Sequence, residues 1–180
     1  MNRNWGRGVR SVLRCRWCES DQKPLRRERN ESKREKSRTI LLIEDEEAHV
    51  ALITRILEEV DRGAEIHLVR DGEEALEYLF QRGTYANQER KSPLPDLVLL
   101  DLRLPKLEGQ EVLKSIKKSE RLKEIPVVVL TTSNSEYDVH MAYLNGANIY
   151  LVKPLGFAEF YEMIRRLTSW LAKFRLPRKD

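Results

Sequence analysis

Short runs of apolar residues alternate with amphipathic stretches from residue 38 to residue 174. The apolar runs predict β-strands at 39–43, 65–69, 96–101, 126–131 and 148–152. Between them, apolar positions recur every three or four residues, which predicts helices at 46–60, 72–82, 109–119, 135–145 and 157–173. Gly, Asn, Ser and two Pro occur within 83–95, so this stretch is predicted to be a loop.

Five strands that alternate with five helices indicate an α/β fold with a parallel sheet covered on both faces. The first, third and fourth strands are almost uninterrupted apolar runs. Strands that are buried on both faces lose the alternation of apolar and polar positions. These three strands are therefore expected to be buried on both faces.

Polar side chains stand at the carboxyl ends of four predicted strands. Glu44 and Asp45 follow the first strand, Asp101 ends the third, Thr131 ends the fourth and Lys153 follows the fifth. Open α/β sheets bind their ligands at this edge. A carboxylate at the end of a buried strand is costly unless it is paired or coordinated, so these groups are expected to meet in one site.

The chemistry of this grouping favours phosphoryl transfer. Glu44, Asp45 and Asp101 form a like-charge cluster that a hard divalent ion such as Mg²⁺ would neutralise. Asp101 is then placed as a nucleophile that forms an aspartyl phosphate. Lys153 can supply positive charge to the phosphoryl oxygens, and the Thr131 hydroxyl can donate a hydrogen bond. Such transfers depend mostly on positioning and charge neutralisation.

The order and spacing of these motifs resemble the receiver domain of two-component response regulators. The matching elements are Glu44-Asp45, Asp101 followed by Leu-Arg-Leu-Pro, Gly109, Thr131, Tyr150 and Lys153-Pro154. Thr131 follows Asp101 by 30 residues, and Lys153 follows Thr131 by 22. The resemblance covers 38–174 and implies a doubly wound (βα)5, flavodoxin-like fold with strand order 2-1-3-4-5. A closer similarity is to single-domain receivers of the phytochrome-associated type.

The resemblance implies a role for each site residue. Asp101 would be the phospho-acceptor. Asp45, Asp101 and the backbone carbonyl of Arg103 would be direct ligands of Mg²⁺, and Glu44 would act through a metal-bound water.

Two further roles concern the response to phosphorylation. Thr131 and Lys153 would hold the phosphoryl group on Asp101. Thr131 and Tyr150 would act as the switch residues, with Tyr150 turning inward as Thr131 moves.

Charge divides the chain into a basic tail and an acidic body. Residues 1–37 carry 12 Lys/Arg and 5 Asp/Glu, whereas the remainder carries 21 and 24, within an overall charge of +4. We expect a disordered basic tail at 1–37, a receiver domain at 38–174 and a short tail at 175–180. Cys15 and Cys18 lie in the first tail and lack the partners of a zinc site. No run is long enough to span a membrane, and a cytoplasmic protein is expected.

The fifth helix carries more apolar surface than a receiver core needs. Met163, Trp170 and Phe174 extend its apolar stripe along one flank. Such a surplus indicates a partner surface, and a homodimer through helix 4, strand 5 and helix 5 is expected. The alternative is that the tail or the end of the chain covers this flank.

The resemblance implies a stand-alone response regulator rather than an enzyme, with a sensor histidine kinase or a phosphotransfer protein as partner and no DNA-binding domain. Two alternatives stay open. A haloacid-dehalogenase-like phosphatase needs a second Asp two residues after the nucleophile, where this chain has Arg103. A receiver fold could also bind partners without phosphorylation. His49, His67 and His140 lack metal-ligand spacing and are interpreted as surface or packing residues.

Overall fold

The computed structural model describes residues 38–86 and 92–173, with side chains described as far as residue 169. In this part of the chain the strands are β1 Thr39–Ile43, β2 Glu65–Val69, β3 Leu97–Leu100, β4 Val127–Thr131 and β5 Ile149–Val152. The α-helices are α1 Glu47–Val60, α2 Gly72–Phe80, α3 Gly109–Lys118, α4 Glu136–Leu144 and α5 Phe157–Lys173. A short 3₁₀ helix, Gly83–Tyr85, lies in the predicted loop.

The strands form one sheet in the order β2-β1-β3-β4-β5, and all neighbouring pairs are parallel. This confirms the predicted doubly wound (βα)5 fold. The order reverses at β1, which pairs with β2 on one side and β3 on the other. Ligands of doubly wound sheets bind beyond the strand ends at such a reversal, and Glu44 and Asp101 follow the two strands concerned.

Two apolar layers cover the two faces of the sheet. Side chains alternate between faces along each strand, so Leu41 and Ile43 pack with α2, α3 and α4, while Ile40 and Leu42 pack with α1 and α5. All five residues of β1 are buried, as are all residues of β3 and β4. This double burial explains why these strands lack polar alternation.

The predicted boundaries agree with the observed ones to within two residues. The largest difference is at α2, which ends at Phe80 rather than at Arg82. Gln81 adopts a left-handed backbone conformation with φ of 54°, and its N–H bonds to the carbonyls of Glu77 and Tyr78. A left-handed residue at this position ends a helix. The residue is a Gln rather than the usual Gly or Asn, so the sequence did not predict this end.

Several expectations fall on residues that the structure does not describe. The tails at 1–37 and 175–180, with Cys15 and Cys18, lie outside the described residues, so the proposed division of the chain stays a prediction. Among the described residues, no helix is both long and apolar enough to cross a lipid bilayer.

Candidate functional site

Backbone hydrogen bonds between strand ends bring the predicted residues to one edge of the sheet. The Asp101 N–H donates to the carbonyl of Ile43 at 3.0 Å, which places Asp101 beside Glu44. The Lys153 N–H donates to the carbonyl of Thr131 at 2.7 Å. The parallel register therefore joins residues that are far apart in the sequence.

The Lys153 ammonium lies between two buried carboxylates. Its Nζ donates to Asp101 Oδ2 at 2.5 Å and to Glu44 Oε2 at 2.6 Å. Lys153 is 4% exposed, Asp101 5% and Glu44 1%. Breaking such a buried ion pair leaves an uncompensated charge, which is strongly destabilising. The ammonium thus stabilises the acidic edge of the sheet in this structure.

Burial raises the pKa of the Glu44 carboxyl above its ordinary value. The hydrogen bond and the positive charge of Lys153 oppose this rise, the charge of Asp101 adds to it, and a hydrogen bond with His49 opposes it. Desolvation penalises the charged form of a buried acid. The Lys153 contact therefore partly restores the tendency of Glu44 to ionise.

Asp45 differs from its neighbour because it is exposed. No hydrogen bond or ion pair within the described ranges 38–86 and 92–173 involves its carboxylate, and no group of three His, Cys, Asp or Glu side chains there is arranged to hold a metal ion. Asp45 and Asp101 alone, with a backbone carbonyl, would still offer the hard oxygen donors that Mg²⁺ accepts alongside water. The residues present fit the predicted ion.

The segment after Asp101 is held in place by its own apolar residues. Leu102 and Leu104 are buried in the apolar layer beside α2 and α3. The N–H of Arg103 donates to Asp101 Oδ1 at 3.0 Å. Gly109 begins α3 so close to the acceptor that a Cβ there would lie 2.2 Å from the Asp101 carbonyl oxygen. This glycine lets α3 approach the backbone of the acceptor.

The Arg103 side chain turns away from Asp101 towards α4. Its Nη2 donates to Asp138 Oδ2 at 2.9 Å, and the hydroxyl of Ser133 donates to the same oxygen at 2.5 Å. The hydroxyl of Tyr150 donates to the carbonyl of Ser133 at 3.0 Å. One chain of polar contacts therefore runs from the segment after Asp101 to β5.

Thr131 is fully buried at the end of β4. Its Oγ1 accepts a long hydrogen bond of 3.4 Å from the N–H of Ser133. Tyr150 is half-buried and packs against the apolar layer of α2, α3 and α4. Thr131 and Tyr150 are thus linked through Ser133, and their switching role stays a prediction.

His49 belongs to the site, which the interpretation as a surface or packing residue missed. Its Nδ1 lies 3.1 Å from Glu44 Oε1 and 3.1 Å from Lys153 Nζ. A sequence signal existed, since His49 follows Glu44 by five residues in the first turn of the helix after β1. Side chains there face the strand ends. His67 packs on Tyr78 and His140 is exposed, as expected.

The predicted interface residues are only partly described. Met163 is half-buried and lines an open groove of about 610 Å³ with Ile149, Leu151 and Leu167. The side chains of Trp170 and Phe174 lie outside the described part. Three further apolar side chains on α4 and β5 are exposed: Tyr137, Leu144 and Val152. Whether two copies pair here stays a prediction.

Comparison with known proteins identifies the family. Residues 40–165 match the model of the response regulator receiver domain, and the chain belongs to this family of two-component signalling proteins. It is 43% identical to the response regulator Rcp1 of Synechocystis, over 78% of this chain and 93% of Rcp1. It is 47% identical to a probable methanogenesis regulatory protein, FilR2, of Methanothrix harundinacea, over 77% of this chain and 86% of that protein.

Two solved structures resemble the fold closely. One is the phosphorylated cyanobacterial phytochrome response regulator RcpA, at 40% identity and a TM-score of 0.73, covering 79% of this chain and 99% of RcpA. The other is the Mn²⁺-bound form of Rcp1, at 42% identity and a TM-score of 0.74, covering 78% of this chain and 99% of that one. These relatives confirm the predicted similarity to phytochrome-associated response regulators.

Proposed function

We propose that this chain is a phosphorylated response regulator whose acceptor is Asp101. The observation that carries the proposal is the contact of the Asp101 carboxylate with Lys153, beside the buried Glu44. A nucleophilic carboxylate next to an ammonium suits the formation of an acyl phosphate. The similar proteins RcpA, in a phosphorylated form, and Rcp1, in a Mn²⁺-bound form, support the same chemistry.

The transfer is a displacement at phosphorus. An Asp101 carboxylate oxygen forms the new bond to phosphorus, and the bond from phosphorus to a histidine nitrogen of the donor breaks. The electron pair stays on the leaving imidazole, which then takes up a proton. The donor is a sensor histidine kinase or a phosphotransfer protein. The product is a mixed carboxylic–phosphoric anhydride on Asp101.

Mg²⁺ is the proposed cofactor. Asp45, Asp101 and the backbone carbonyl of Arg103 would hold it directly, and Glu44 would hold it through water. When bound, the ion would neutralise negative charge shared by the carboxylates and the phosphoryl oxygens. Asp45 supports this assignment because its carboxylate is exposed and has no ion pair among the described residues.

Lys153 and Thr131 respond to the phosphoryl group. The Lys153 ammonium exchanges its bond to Asp101 Oδ2 for a phosphoryl oxygen, and the Thr131 hydroxyl donates another hydrogen bond. Thr131 Oγ1 is hydrogen-bonded to the N–H of Ser133, so movement of Thr131 displaces Ser133. The Ser133 carbonyl accepts a hydrogen bond from the Tyr150 hydroxyl, so the displacement reaches Tyr150. Tyr150 then carries the change to the surface of α4, β5 and α5.

That surface is the proposed place of homodimerisation. β5 is an edge strand, and exposed edges are usually covered or paired. The groove lined by Met163 and the exposed Tyr137 and Leu144 add apolar area to it. Signalling would pass through altered protein contacts at this surface. The phosphatase alternative is disfavoured because Arg103 occupies the position of its required second Asp.

The proposal is tested by incubating the protein with acetyl phosphate and Mg²⁺ and locating the phosphoryl group by mass spectrometry. Incorporation should occur on the peptide that contains Asp101 and should need the divalent ion. Asp101→Asn keeps the side-chain shape but removes the nucleophile, so it should not be labelled. Equal labelling of the variant would show that the acceptor is another residue.

A further inference from the structure

His49 occupies a position that none of the roles above explains. It lies in the first turn of α1, and its Nδ1 is 3.1 Å from both Glu44 Oε1 and Lys153 Nζ. Its ring and that of Phe160 in α5 form a T-shaped pair with a centroid distance of 5.6 Å and an interplanar angle of 87°. Phe160 is a buried core residue. The imidazole is therefore held between the apolar core and two charged groups of the site.

The contacts of Lys153 show what this nitrogen contributes. An ammonium has three N–H donors, and Nζ has three neighbours within hydrogen-bond distance, namely Glu44, Asp101 and His49. Glu44 likewise uses one oxygen for Lys153 and the other for His49. His49 Nδ1 thus lies within hydrogen-bond distance of two buried side chains, and its tautomer decides which of them it bonds.

One ring nitrogen can serve only one of these neighbours at a time. With its proton on Nε2, Nδ1 accepts from the Lys153 ammonium. With its proton on Nδ1, it donates to the Glu44 carboxylate. Either bond restricts the rotamer of Glu44, directly or through Lys153. A side chain of another shape at position 49 would leave a buried carboxylate oxygen without this partner.

We propose that His49 is a positioning residue that holds the Glu44 carboxylate in the orientation needed to accept a hydrogen bond from metal-bound water. This inference rests on the proposed function of the site, and it assigns to His49 an effect on Mg²⁺ affinity that acts through Glu44. When Lys153 moves towards a phosphoryl group, His49 remains as the side chain that holds Glu44.

The test compares two substitutions at the same position. His49→Leu has a similar size and keeps apolar contact with Phe160, but it has no polar atom. His49→Asn places an amide close to the position of Nδ1. Partners that orient a metal ligand commonly change affinity by about 10–100-fold. We expect His49→Leu to weaken Mg²⁺ binding by about tenfold and His49→Asn to recover most of it, as measured by isothermal titration calorimetry.

A double-mutant cycle separates positioning from packing. In a Glu44→Ala background, His49→Leu should change the Mg²⁺ dissociation constant by less than about twofold, because the residue through which His49 acts is gone. A tenfold loss that persists in this background would overturn the proposal. Unchanged Mg²⁺ binding in His49→Leu alone would also overturn it.

Phosphorylation of Asp101 is measured in parallel, so the two proposals fail separately. If Asp101 is labelled and the cycle shows no coupling, only the role of His49 is wrong. If the cycle shows coupling but Asp101 is never labelled, the proposed function is wrong and the positioning of Glu44 stands. Thermal unfolding of every variant without metal checks that each one is folded.

Discussion

Arg103 and Asp138 form an ion pair that joins the segment after the acceptor to the first turn of α4. The guanidinium Nη2 donates to Asp138 Oδ2 at 2.9 Å, although the Arg103 side chain is 57% exposed. Asp138 is also held by the Ser133 hydroxyl. Arg103 is only two residues beyond Asp101. The ion pair therefore determines the direction of the guanidinium, a positive charge close to the acceptor.

Asp138→Asn should lengthen the half-life of phosphorylated Asp101. The substitution removes the charge that holds Arg103 and frees the guanidinium to approach the anionic phosphoryl group. Exposed ion pairs are worth about 0.2–1 kcal/mol, so we expect a change of up to about fivefold. The half-life would be measured by loss of label after removal of the phosphodonor.

Two controls make the Asp138 result specific. Glu136→Gln removes a charge from the same turn of α4, and Glu136 has no hydrogen bond or ion pair with Arg103 among the described residues. The half-life of phosphorylated Asp101 in this variant should therefore match that of the unmodified protein. The effect of Asp138→Asn should vanish when Arg103 is replaced by Ala. If Asp138→Asn still lengthens the half-life in an Arg103→Ala background, the effect comes from α4 and not from Arg103.

Asp45→Ala should weaken Mg²⁺ binding more than Glu44→Ala does. Asp45 is proposed as a direct ligand, whereas Glu44 acts through water. In the absence of metal, Glu44→Ala should instead be the variant that loses more folding stability. It removes a buried partner of Lys153, whereas Asp45→Ala removes an exposed side chain. The cost of Glu44→Ala should be about 1–3 kcal/mol. Calorimetric metal titration and urea unfolding would give the two rankings, and the same order in both would contradict the assignments.

Gly109→Ala should disturb the acceptor loop. The new Cβ would lie 2.2 Å from the Asp101 carbonyl oxygen and 2.7 Å from Leu102 Cα, so the backbone must shift. Overpacking of this kind costs about 1–3 kcal/mol, and phosphorylation of Asp101 should slow. Gly63→Ala is the matched control, because its nearest neighbour would be 3.9 Å away. Urea unfolding that gives the same stability for both variants would refute the close approach.

Tyr78 should make the folded state lose stability above about pH 10. Burial raises its pKa above the ordinary value of 10.0, and its hydroxyl donates to the Pro93 carbonyl at 3.0 Å. The folded state therefore retains the proton that the unfolded chain releases above about pH 10. This contribution to stability is complete below that pH and is lost as the pH rises towards the folded pKa.

Tyr78→Phe removes this titration. The slope of the unfolding free energy against pH between about 10 and 11.5 should become shallower by up to about 1.4 kcal/mol per pH unit. Some slope should remain, because burial also raises the pKa of Tyr85 to about 12. Tyr137→Phe, at an exposed position of α4, is the control. Equal slopes in both variants, measured by urea unfolding, would show that Tyr78 does not titrate as stated.

Met163→Glu and Trp170→Glu should shift the proposed homodimer towards monomer at micromolar concentration. A two-fold interface uses the same patch twice, so one substitution removes contacts on both sides. Ala51→Glu adds the same charge at an exposed site on α1 and should leave the association unchanged. Sedimentation velocity with and without acetyl phosphate would decide. A protein that is monomeric in both conditions would assign this flank to another partner or to the chain's own tail.

The sequence alone determined the fold because the burial of each strand and helix is visible in its own pattern of apolar residues. The apolar runs of β1, β3 and β4 are visible without any tertiary information, and the helices between them show the period of 3.6. The meeting of Asp101 with Lys153 was equally predictable, although they are 52 residues apart. Parallel strands place all their carboxyl ends at one edge, so a residue's place at a strand end is enough to predict its neighbours.

Tertiary structure alone decided which groups the long polar side chains contact. Arg103 could point to a phosphoryl group, to solvent or to α4, and only the position of Asp138 selects α4 in this structure. His49 is a lone histidine in the sequence and becomes part of the site because Phe160, Glu44 and Lys153 converge on its ring. Periodicity records whether a side chain is buried, but the direction of a flexible polar side chain depends on groups that only the folded chain brings together.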